Sequence, residues 1–148
     1  MKRIKMIDIT EKEIVYREAE AEGKIFLKKS TIRRIKNGEI EKGDPLVIAK
    51  IAAIQAVKKT PEIIPLCHPI KITNVEINEK ILEDNITLVV KVKALERTGV
   101  EMEALNGVLA GLLTIWDVVK KYEKDKEGQY PITTITDIKV RKKIKGHV

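Results

Sequence analysis

The chain is poor in cysteine and in aromatic residues. It has one Cys, one Trp, one Phe and three Tyr among 148 residues. A single cysteine excludes a disulfide within the chain and suits a reducing compartment. The hydrophobic fraction is still 43%, so Ile, Val, Leu and Ala must form the core. We therefore predict one domain over residues 1–148, with tails at 1–5 and 144–148.

Long apolar runs and leader patterns are missing as well. We find no apolar run of transmembrane length and no signal-peptide pattern, so we expect a cytoplasmic protein without a membrane partner. Gln, Asn and Cys are few, whereas Lys, Glu and Ile are abundant. This composition is typical of thermophile proteins and predicts a heat-adapted source.

Acidic residues are outnumbered, and the formal net charge of +7 favours an anionic partner. Solubility is the simpler explanation for the basic residues near the two ends of the chain. RNA-recognition domains stack bases on aromatic side chains of a sheet, and residues 70–97 contain no Phe, Tyr or Trp. We therefore predict no nucleic-acid partner. We also predict no metal site, because Cys67 and two histidines cannot complete a thiolate- or imidazole-rich site within one chain.

Hydrophobic patterning and turn residues divide the chain into strands and helices. Asp44 and Pro45 form a strong helix start, since Asp favours the N-cap and Pro the first helical position. Ser30 can cap a short helix in the same way. The predicted elements are a strand over 13–28, helices over 31–36 and from 45 to about 60, strands over 70–79 and 86–97, a helix over 101–122 and a strand over 132–143. This order predicts an α+β fold, a ferredoxin-like βαββαβ arrangement with helices packed on one face of an antiparallel sheet.

The two long predicted helices have distinct faces. The first has a face of small residues that allows close approach of another element, which could be another subunit: Ala49, Ala52, Ala53 and Ala56. On the second we assign one stripe to packing on the sheet: Leu105, Leu109, Leu112, Trp116 and Val119. The opposite stripe is polar at both ends and small in the middle, which indicates a wall for something to pack against: Glu103, Asn106, Ala110, Thr114, Asp117, Lys120 and Lys121.

Chemistry is concentrated in the loop from Pro65 to Pro69, which contains Leu66, Cys67 and His68. Each proline fixes its own φ and pushes the preceding residue out of the α region, so the loop is stiff and extended. Histidine exchanges protons near neutral pH, and rigid loops often carry functional residues. A tight connector with a buried Cys and a surface His is an equally good interpretation of these five residues.

The helix over 101–122 carries charged groups at each end. Asp117 can meet either Lys120 or Lys121, as an ordinary surface ion pair or as an acid–base pair in a pocket. Glu101 and Glu103 lie in the first turn, where the helix dipole alone favours carboxylates. Glu103 and Asp117 are about 21 Å apart at ~1.5 Å rise per residue. One small ligand cannot easily reach both, so we expect two subunits to share a site.

Several segments together resemble one family, the molybdenum cofactor biosynthesis protein C or cyclic pyranopterin monophosphate synthase family. The resemblance covers residues 6–122. The segments that carry it are Met6-Ile-Asp-Ile-Thr-Glu-Lys12, Arg17-Glu-Ala-Glu-Ala21, Lys42-Gly-Asp44, Ala49-Lys-Ile-Ala-Ala-Ile-Gln-Ala-Val-Lys-Lys-Thr60, Ile64-Pro-Leu-Cys-His-Pro69, Thr98-Gly-Val-Glu-Met-Glu-Ala-Leu105 and Leu113-Thr-Ile-Trp-Asp117.

The resemblance implies a lyase that converts a cyclic dihydroguanosine triphosphate into cyclic pyranopterin monophosphate and pyrophosphate by general acid/base catalysis. It implies a homohexamer, a trimer of dimers, with active sites at subunit interfaces. It implies no resident cofactor and leaves open whether Mg²⁺ accompanies the triphosphate. The catalytic residues it implies are Asp117, Lys120, Lys42 and His68. The substrate-binding residues it implies are Leu66, Cys67, His68, Glu101, Met102, Glu103, Arg17 and Lys58.

The chain departs from the family pattern near its C-terminal end. The family's glycine-rich tail is missing, and residues 123–131 form a longer connection than usual. A family lysine of the last strand therefore falls on either Lys142 or Lys143, and the sequence leaves that register open. A catalytically inactive structural oligomer is the remaining alternative, and the presence of Asp117, Lys120 and His68 argues against it.

Overall fold

The computed structural model describes residues 2–146, which form four strands and four helices. The order along the chain is β1 (Val15–Phe26), α1 (Lys29–Lys36), α2 (Pro45–Lys58), α3 (Thr60–Ile63), β2 (Ile72–Ile81), β3 (Asn85–Glu96), α4 (Glu101–Glu123) and β4 (Thr134–Gly146). The four strands make one sheet in the order β2-β3-β1-β4, and every neighbouring pair is antiparallel. The predicted α+β, ferredoxin-like βαββαβ fold is confirmed.

Burial alternates along β1 and along the middle of β3, so the sheet has two different faces. One face is aliphatic and packs against α4 and α2, and it includes Ala21, Ile25, Leu88 and Val90. The other face carries cross-strand ion pairs such as Lys91 with Glu20. Helices therefore cover one side only, because only that side has apolar area to bury.

The two predicted helix starts had different outcomes. Asp44 caps α2 as expected, since its Oδ1 accepts a hydrogen bond of 2.9 Å from the Leu46 N–H. The prediction for Ser30 was wrong, because Ser30 lies inside α1 and the N-cap residue is Lys28. The fully buried Glu123 carboxylate accepts hydrogen bonds from the Lys28 N–H, 95 positions away in the sequence, and from the Thr31 hydroxyl, 92 positions away. Sequence patterns for caps could not identify a cap that comes from so remote a residue.

The last strand is longer than predicted. It continues through Gly146, so the expected tail was wrong for residues 144–146, while residues 147 and 148 lie outside the described part of the chain. Pairing with β1 gives the strand its length, since Gly146 lies opposite Tyr16. The strand contains register irregularities, and Asp137 has a φ of 57°. A single left-handed residue is typical of a β-bulge, so the strand bends there.

The alanine face of α2 packs against α4 of the same chain, so the suggestion that another subunit covers it was wrong. Ala49 and Ala53 are fully buried, and α4 presents Gly107 and Gly111 to them. A Cβ at Gly111 would lie 3.6 Å from the Ala53 Cβ and 3.5 Å from the carbonyl oxygen of Ala49. Small residues on both helices allow this close approach.

The same close packing rotates α4 away from its predicted orientation. Leu112 and Val119 are buried as expected, but Leu109 is 45% exposed, and Leu105 and Trp116 are only partly buried. The residues that face the core are smaller and offset, among them Ala104, Val108, Gly111 and Ile115. An outward apolar patch results on α2 and α4, formed by Val47, Ile51, Ile54, Leu109 and Leu113.

Helix α4 also bears on the prediction that the chain has no apolar segment of transmembrane length. Its 23 residues meet that criterion by length and composition, with a mean hydropathy of 1.4, so the prediction was wrong by this measure. Half of the apolar window is buried inside the fold against α2 and the sheet. This burial is typical of the central helix of a soluble domain.

We expect Gly111→Val to lower the free energy of unfolding by about 2–3 kcal/mol, because the new side chain would overlap the buried Leu88. Urea denaturation followed by circular dichroism measures this change. Gly146→Val is the matched control, since a Cβ at that strand position has open space and valine favours strands. Equal stability of the two variants would contradict the packing argument.

Candidate active site

Two groups of the predicted site residues lie at opposite ends of α4. The acidic end comprises the start of α4, the 64–69 loop and the 96–100 connection. The basic end comprises the last turns of α4 and the loop between α1 and α2. Because α2 runs antiparallel to α4, the chain returns to the acidic end when α2 finishes, and the proline-framed loop begins there.

The acidic end contains a cavity of about 480 Å³. Five of the predicted substrate-binding residues line it: Leu66, Cys67, His68, Glu101 and Met102. The remaining lining residues are Ile7, Ile9, Lys12, Ile64, Thr98 and Gly99. The structure therefore brings the proline-framed loop, the first turn of α4 and the N-terminal segment together.

His68 occupies the boundary between two spaces. It lines the 480 Å³ cavity and also an adjoining one of about 440 Å³, which Thr10, Pro69, Glu96 and Arg97 help to form. The loop before it is tied back by the Cys67 N–H, which donates to the carbonyl of Ile64 at 3.1 Å. The imidazole is half-buried and faces concave surface rather than open solvent.

Glu103 lies behind the cavity and is 1% exposed. Its Oε2 accepts a hydrogen bond from the Cys67 thiol at 3.6 Å, and its Oε1 has no partner within residues 2–146. Burial raises the pKa of this carboxyl above its ordinary value. Burial, with the nearby Glu103, also raises the pKa of the Cys67 thiol to about 11. The pair is suited to a protonated thiol that orients the loop rather than to a thiolate nucleophile.

Glu101, like Glu103, has a buried carboxylate oxygen without a hydrogen-bond partner among the described residues. That oxygen is Oε1, while its Oε2 lies 3.4 Å from the Lys143 ammonium.

The register of β4 decides between Lys142 and Lys143, the two lysines that the sequence left open. Lys143 lies opposite Ala19, on the helix-covered face, whereas Lys142 lies opposite Glu20, on the other face. Only Lys143 therefore belongs to this end of the site.

Arg17 is at the acidic end but is already engaged. It is 5% exposed, and its guanidinium donates to the carbonyls of Glu96 and Arg97 at 3.2 Å each. These bonds hold the connection that leads into α4.

Lys58 is exposed and lines a separate groove with Ile54 and residues 72–75. Contacts of Arg17 or Lys58 with substrate stay predictions.

At the basic end, Asp117 lies between two lysines. Lys120 Nζ is 3.0 Å from Asp117 Oδ1, and Lys42 Nζ is 3.2 Å from Oδ2 and 3.1 Å from the Asp117 carbonyl. Hydrogen bonds from Lys120 and Lys42, with their charges, lower the pKa of Asp117. The same contact raises the pKa of Lys120. The group therefore combines one carboxylate with two basic side chains.

The geometry settles which lysine meets the aspartate. Lys120 pairs with Asp117, whereas Lys121 pairs with Glu41. Asp117 is the leading cause of the raised pKa of Lys120, and burial has a smaller and opposite effect because 43% of the side chain is exposed. The Lys42 and Lys120 ammonium groups are both partly exposed and are open to an incoming anion.

The two ends are not brought together within one chain. Glu103 and Asp117 are separated by 14 positions of a continuous helix, which corresponds to about 21 Å. His68 therefore lies far from the Lys120 ammonium of its own chain. Within residues 2–146, no group of three or more His, Cys, Asp or Glu side chains is arranged to hold a metal ion.

Comparison with known proteins identifies the family. The MoaC family profile matches residues 6–146. A relative from Saccharolobus solfataricus is 59% identical over 141 residues, covering 95% of each chain. One from Sulfurisphaera tokodaii is 55% identical over 147 residues, covering 99% of this chain and 97% of the relative, and one from Pyrococcus abyssi is 55% identical over 146 residues, covering 99% and 92%. All three are named as probable cyclic pyranopterin monophosphate synthases.

This chain belongs to the MoaC family. The family that the sequence motifs resembled is thus confirmed, over a longer stretch than the motifs covered. The relatives come from thermophiles, in agreement with the heat-adapted composition.

Sequence reasoning missed several residues of this candidate site. Ile7, Ile9 and Lys12 line the main cavity, although they lie in an irregular N-terminal segment. Their one signal was that residues 6–12 belonged to a family-like motif. The sequence did not distinguish Lys143 from Lys142 because of the long 123–131 connection, and the pairing of β4 with β1 now makes that distinction.

We expect Glu103→Gln to change the pH dependence of stability. The unfolded chain loses the Glu103 proton at lower pH than the folded chain does, so ionisation of this group favours unfolding as pH rises. The variant should match the parent protein in acid and become relatively more stable as pH rises through and above the ordinary carboxyl range. Urea denaturation across that range measures the difference, and a stability difference that does not vary with pH would show that Glu103 is ordinarily ionised in the fold.

Proposed function

We propose that this protein is a cyclic pyranopterin monophosphate synthase of molybdenum cofactor biosynthesis. In this proposal it is a lyase that converts a cyclic dihydroguanosine triphosphate into cyclic pyranopterin monophosphate and pyrophosphate. The observation that carries the proposal is the Lys42–Asp117–Lys120 group, in a chain 55–59% identical to three relatives named for this activity. We place the reaction in the cytoplasm.

The charges suit a triphosphate. Lys42 and Lys120 present two ammonium groups beside one carboxylate, which leaves a net positive charge at an exposed surface. Ammonium groups bind phosphate oxygens by charge-assisted hydrogen bonds. In this proposal Lys58, and Arg17 through donors that its backbone contacts leave free, add to the anion-binding surface. Mg²⁺ enters, if it is needed, as an ion bound to the triphosphate or to pyrophosphate.

The acidic end suits the base of a guanosine derivative. Glu101 and Glu103 each have a buried oxygen with no partner among the described residues. Carboxyl oxygens of this kind would accept hydrogen bonds from the amide and amino N–H groups of a guanine edge. Leu66 and Met102 would supply apolar contact with the ring, since both line the cavity and are partly exposed.

Proton transfers would be divided between the ends. Lys120 would act as a general acid, and its contact with Asp117 raises its pKa and so keeps the ammonium protonated while that contact lasts. His68 would act as the partner acid or base, because it lines the cavity in which the base would lie. Lys42 would stabilise developing negative charge close to Lys120.

A shared site between chains follows from the separation of the two ends. A triphosphate substrate cannot bridge the length of α4, so we propose that the acidic end of one subunit meets the basic end of another. The outward apolar patch of Val47, Ile51, Ile54, Leu109 and Leu113 supports subunit association, since such a surface favours burial. We propose the hexamer, a trimer of dimers, as the assembly.

We expect Lys120→Ala to fold normally and to lose turnover by about 10²–10⁴-fold, the usual contribution of a general acid. The side chain is partly exposed, so its truncation removes no core packing. Assay of pyranopterin formation measures the loss, and circular dichroism checks the fold. Lys124→Ala is the matched control because that exposed lysine follows α4 directly. Near-normal turnover of Lys120→Ala would remove this residue from the mechanism.

We expect His68→Ala and Asp117→Asn subunits to complement each other. Each variant alone should be nearly inactive, whereas random mixed oligomers should recover about a quarter of normal activity, because one site in four then combines two intact halves. Co-expression with two different tags isolates the mixed species. The control is an oligomer in which every subunit carries both substitutions. Activity that stays at the level of the single variants would show that the site is not shared.

A further inference from the structure

The Lys42 ammonium is held against Asp117 although Lys42 lies in an exposed loop. Its residues 41–44 are all exposed, and the loop connects α1 to α2. A lysine side chain has four flexible torsions, so its placement depends on how firmly its backbone is held. The contacts on each side of Lys42 therefore decide how well the basic end is formed.

On one side, the last turn of α4 anchors the residue that precedes Lys42. The Glu41 N–H donates a hydrogen bond of 2.8 Å to the Tyr122 hydroxyl. The Glu41 carboxylate also contacts the Lys121 ammonium. These contacts join the α1–α2 loop to the same helix that carries Asp117 and Lys120.

On the other side, Asp44 caps α2, and the Gly43 N–H donates to the carbonyl of Ile40 at 3.1 Å. Gly43 has a φ of 120°, a conformation that L side chains rarely adopt. Lys42 is thus placed between a helix cap that belongs to α2 and a hydrogen bond that belongs to α4. The Tyr122 bond ties the loop backbone to the aspartate-bearing helix, and the Glu41–Lys121 ion pair adds a contact through side chains.

Tyr122 is itself rigidly placed. Its ring lies 4.9 Å from the Arg34 guanidinium and 5.5 Å from the Lys121 ammonium. The next residue, Glu123, is fully buried and accepts hydrogen bonds from Lys28, Thr31 and Thr133. The phenol oxygen is therefore a fixed acceptor rather than a mobile surface group.

We propose that Tyr122 is a positioning residue for the reaction, whose hydroxyl fixes the Glu41 backbone and so places Lys42 beside Asp117. This inference rests on the proposed function. It assigns Tyr122 no contact with substrate. The Glu41 N–H is at the surface, so water can replace the hydroxyl, and the bond matters more for geometry than for stability.

The test is a double-mutant cycle with Tyr122→Phe and Lys42→Ala, measured as kcat and KM of the full-length oligomer. Tyr122→Phe keeps the ring and removes only the hydroxyl. We expect it to lower kcat about 3- to 30-fold with an unchanged unfolding midpoint, because a displaced catalytic group loses its alignment. In the Lys42→Ala background the same substitution should have little further effect. Tyr16→Phe is the matched control, since its hydroxyl bonds to Glu18 on the face of the sheet away from the helices.

A second readout does not depend on turnover. Lys42 and Lys120 both donate to Asp117 and lower its pKa. Release of Lys42 should therefore raise the pKa of Asp117 toward its ordinary value, although Lys120 keeps it lower than that value. Carbon-13 NMR titration of the Asp117 carboxyl measures the change, which should appear in Tyr122→Phe and in Lys42→Ala but not in Tyr16→Phe.

The outcomes separate the two proposals. Equal loss of kcat from Tyr122→Phe in both backgrounds, or an unchanged pKa of Asp117, would overturn the positioning role. Full activity of Lys42→Ala or of Tyr122→Phe would overturn it as well. If the parent protein does not turn over the triphosphate but the pKa of Asp117 shifts as expected, the proposed function fails and the placement of Lys42 by Tyr122 stands.

Discussion

The close packing of α2 on α4 is the contact on which the rest of the molecule depends. Buried alanines on α2 face glycines on α4, and this contact holds the two helices together over the aliphatic side of the sheet. Close approach strengthens dispersion contacts and excludes water along the whole interface. It also fixes the direction of α4. Because α2 is antiparallel to α4, each end of the pair receives a loop that carries residues of the candidate site.

A rigid helix with chemistry at both ends separates two different environments. At the acidic end, burial raises the pKa of Glu103 and of Cys67. At the basic end, opposite charges at the surface lower the pKa of Asp117 and raise that of Lys120. One end is thus suited to neutral hydrogen-bonding groups and the other to anions. A substrate with a base and a triphosphate has both requirements, and this is the reasoning behind the proposed shared site between subunits.

Much of the fold could be read from local patterns, but several packing details could not. The Asp44 cap and the order of strands and helices follow from short-range preferences, and the structure confirms them. The helical-wheel position of Leu109 led to a wrong prediction of burial. The contact between α2 and α4 requires small residues, so the leucine stripe of α4 does not face the core. Ser30 was a reasonable cap by type, yet the buried Glu123 performs that role from the far end of α4. Each error arises from a partner distant in sequence.

The sequence by itself determined the fold class, the family resemblance and the residue types of the candidate site, because caps, periodicity and motifs act over a few neighbouring positions. Tertiary structure alone decided which lysine meets Asp117, on which face Lys143 lies and which helix the alanines of α2 contact. Those choices depend on residues that the fold brings together from more than 40 positions apart, such as Gly111 against Ala53 and Lys42 against Asp117. Their energies appear only when the surrounding elements are packed.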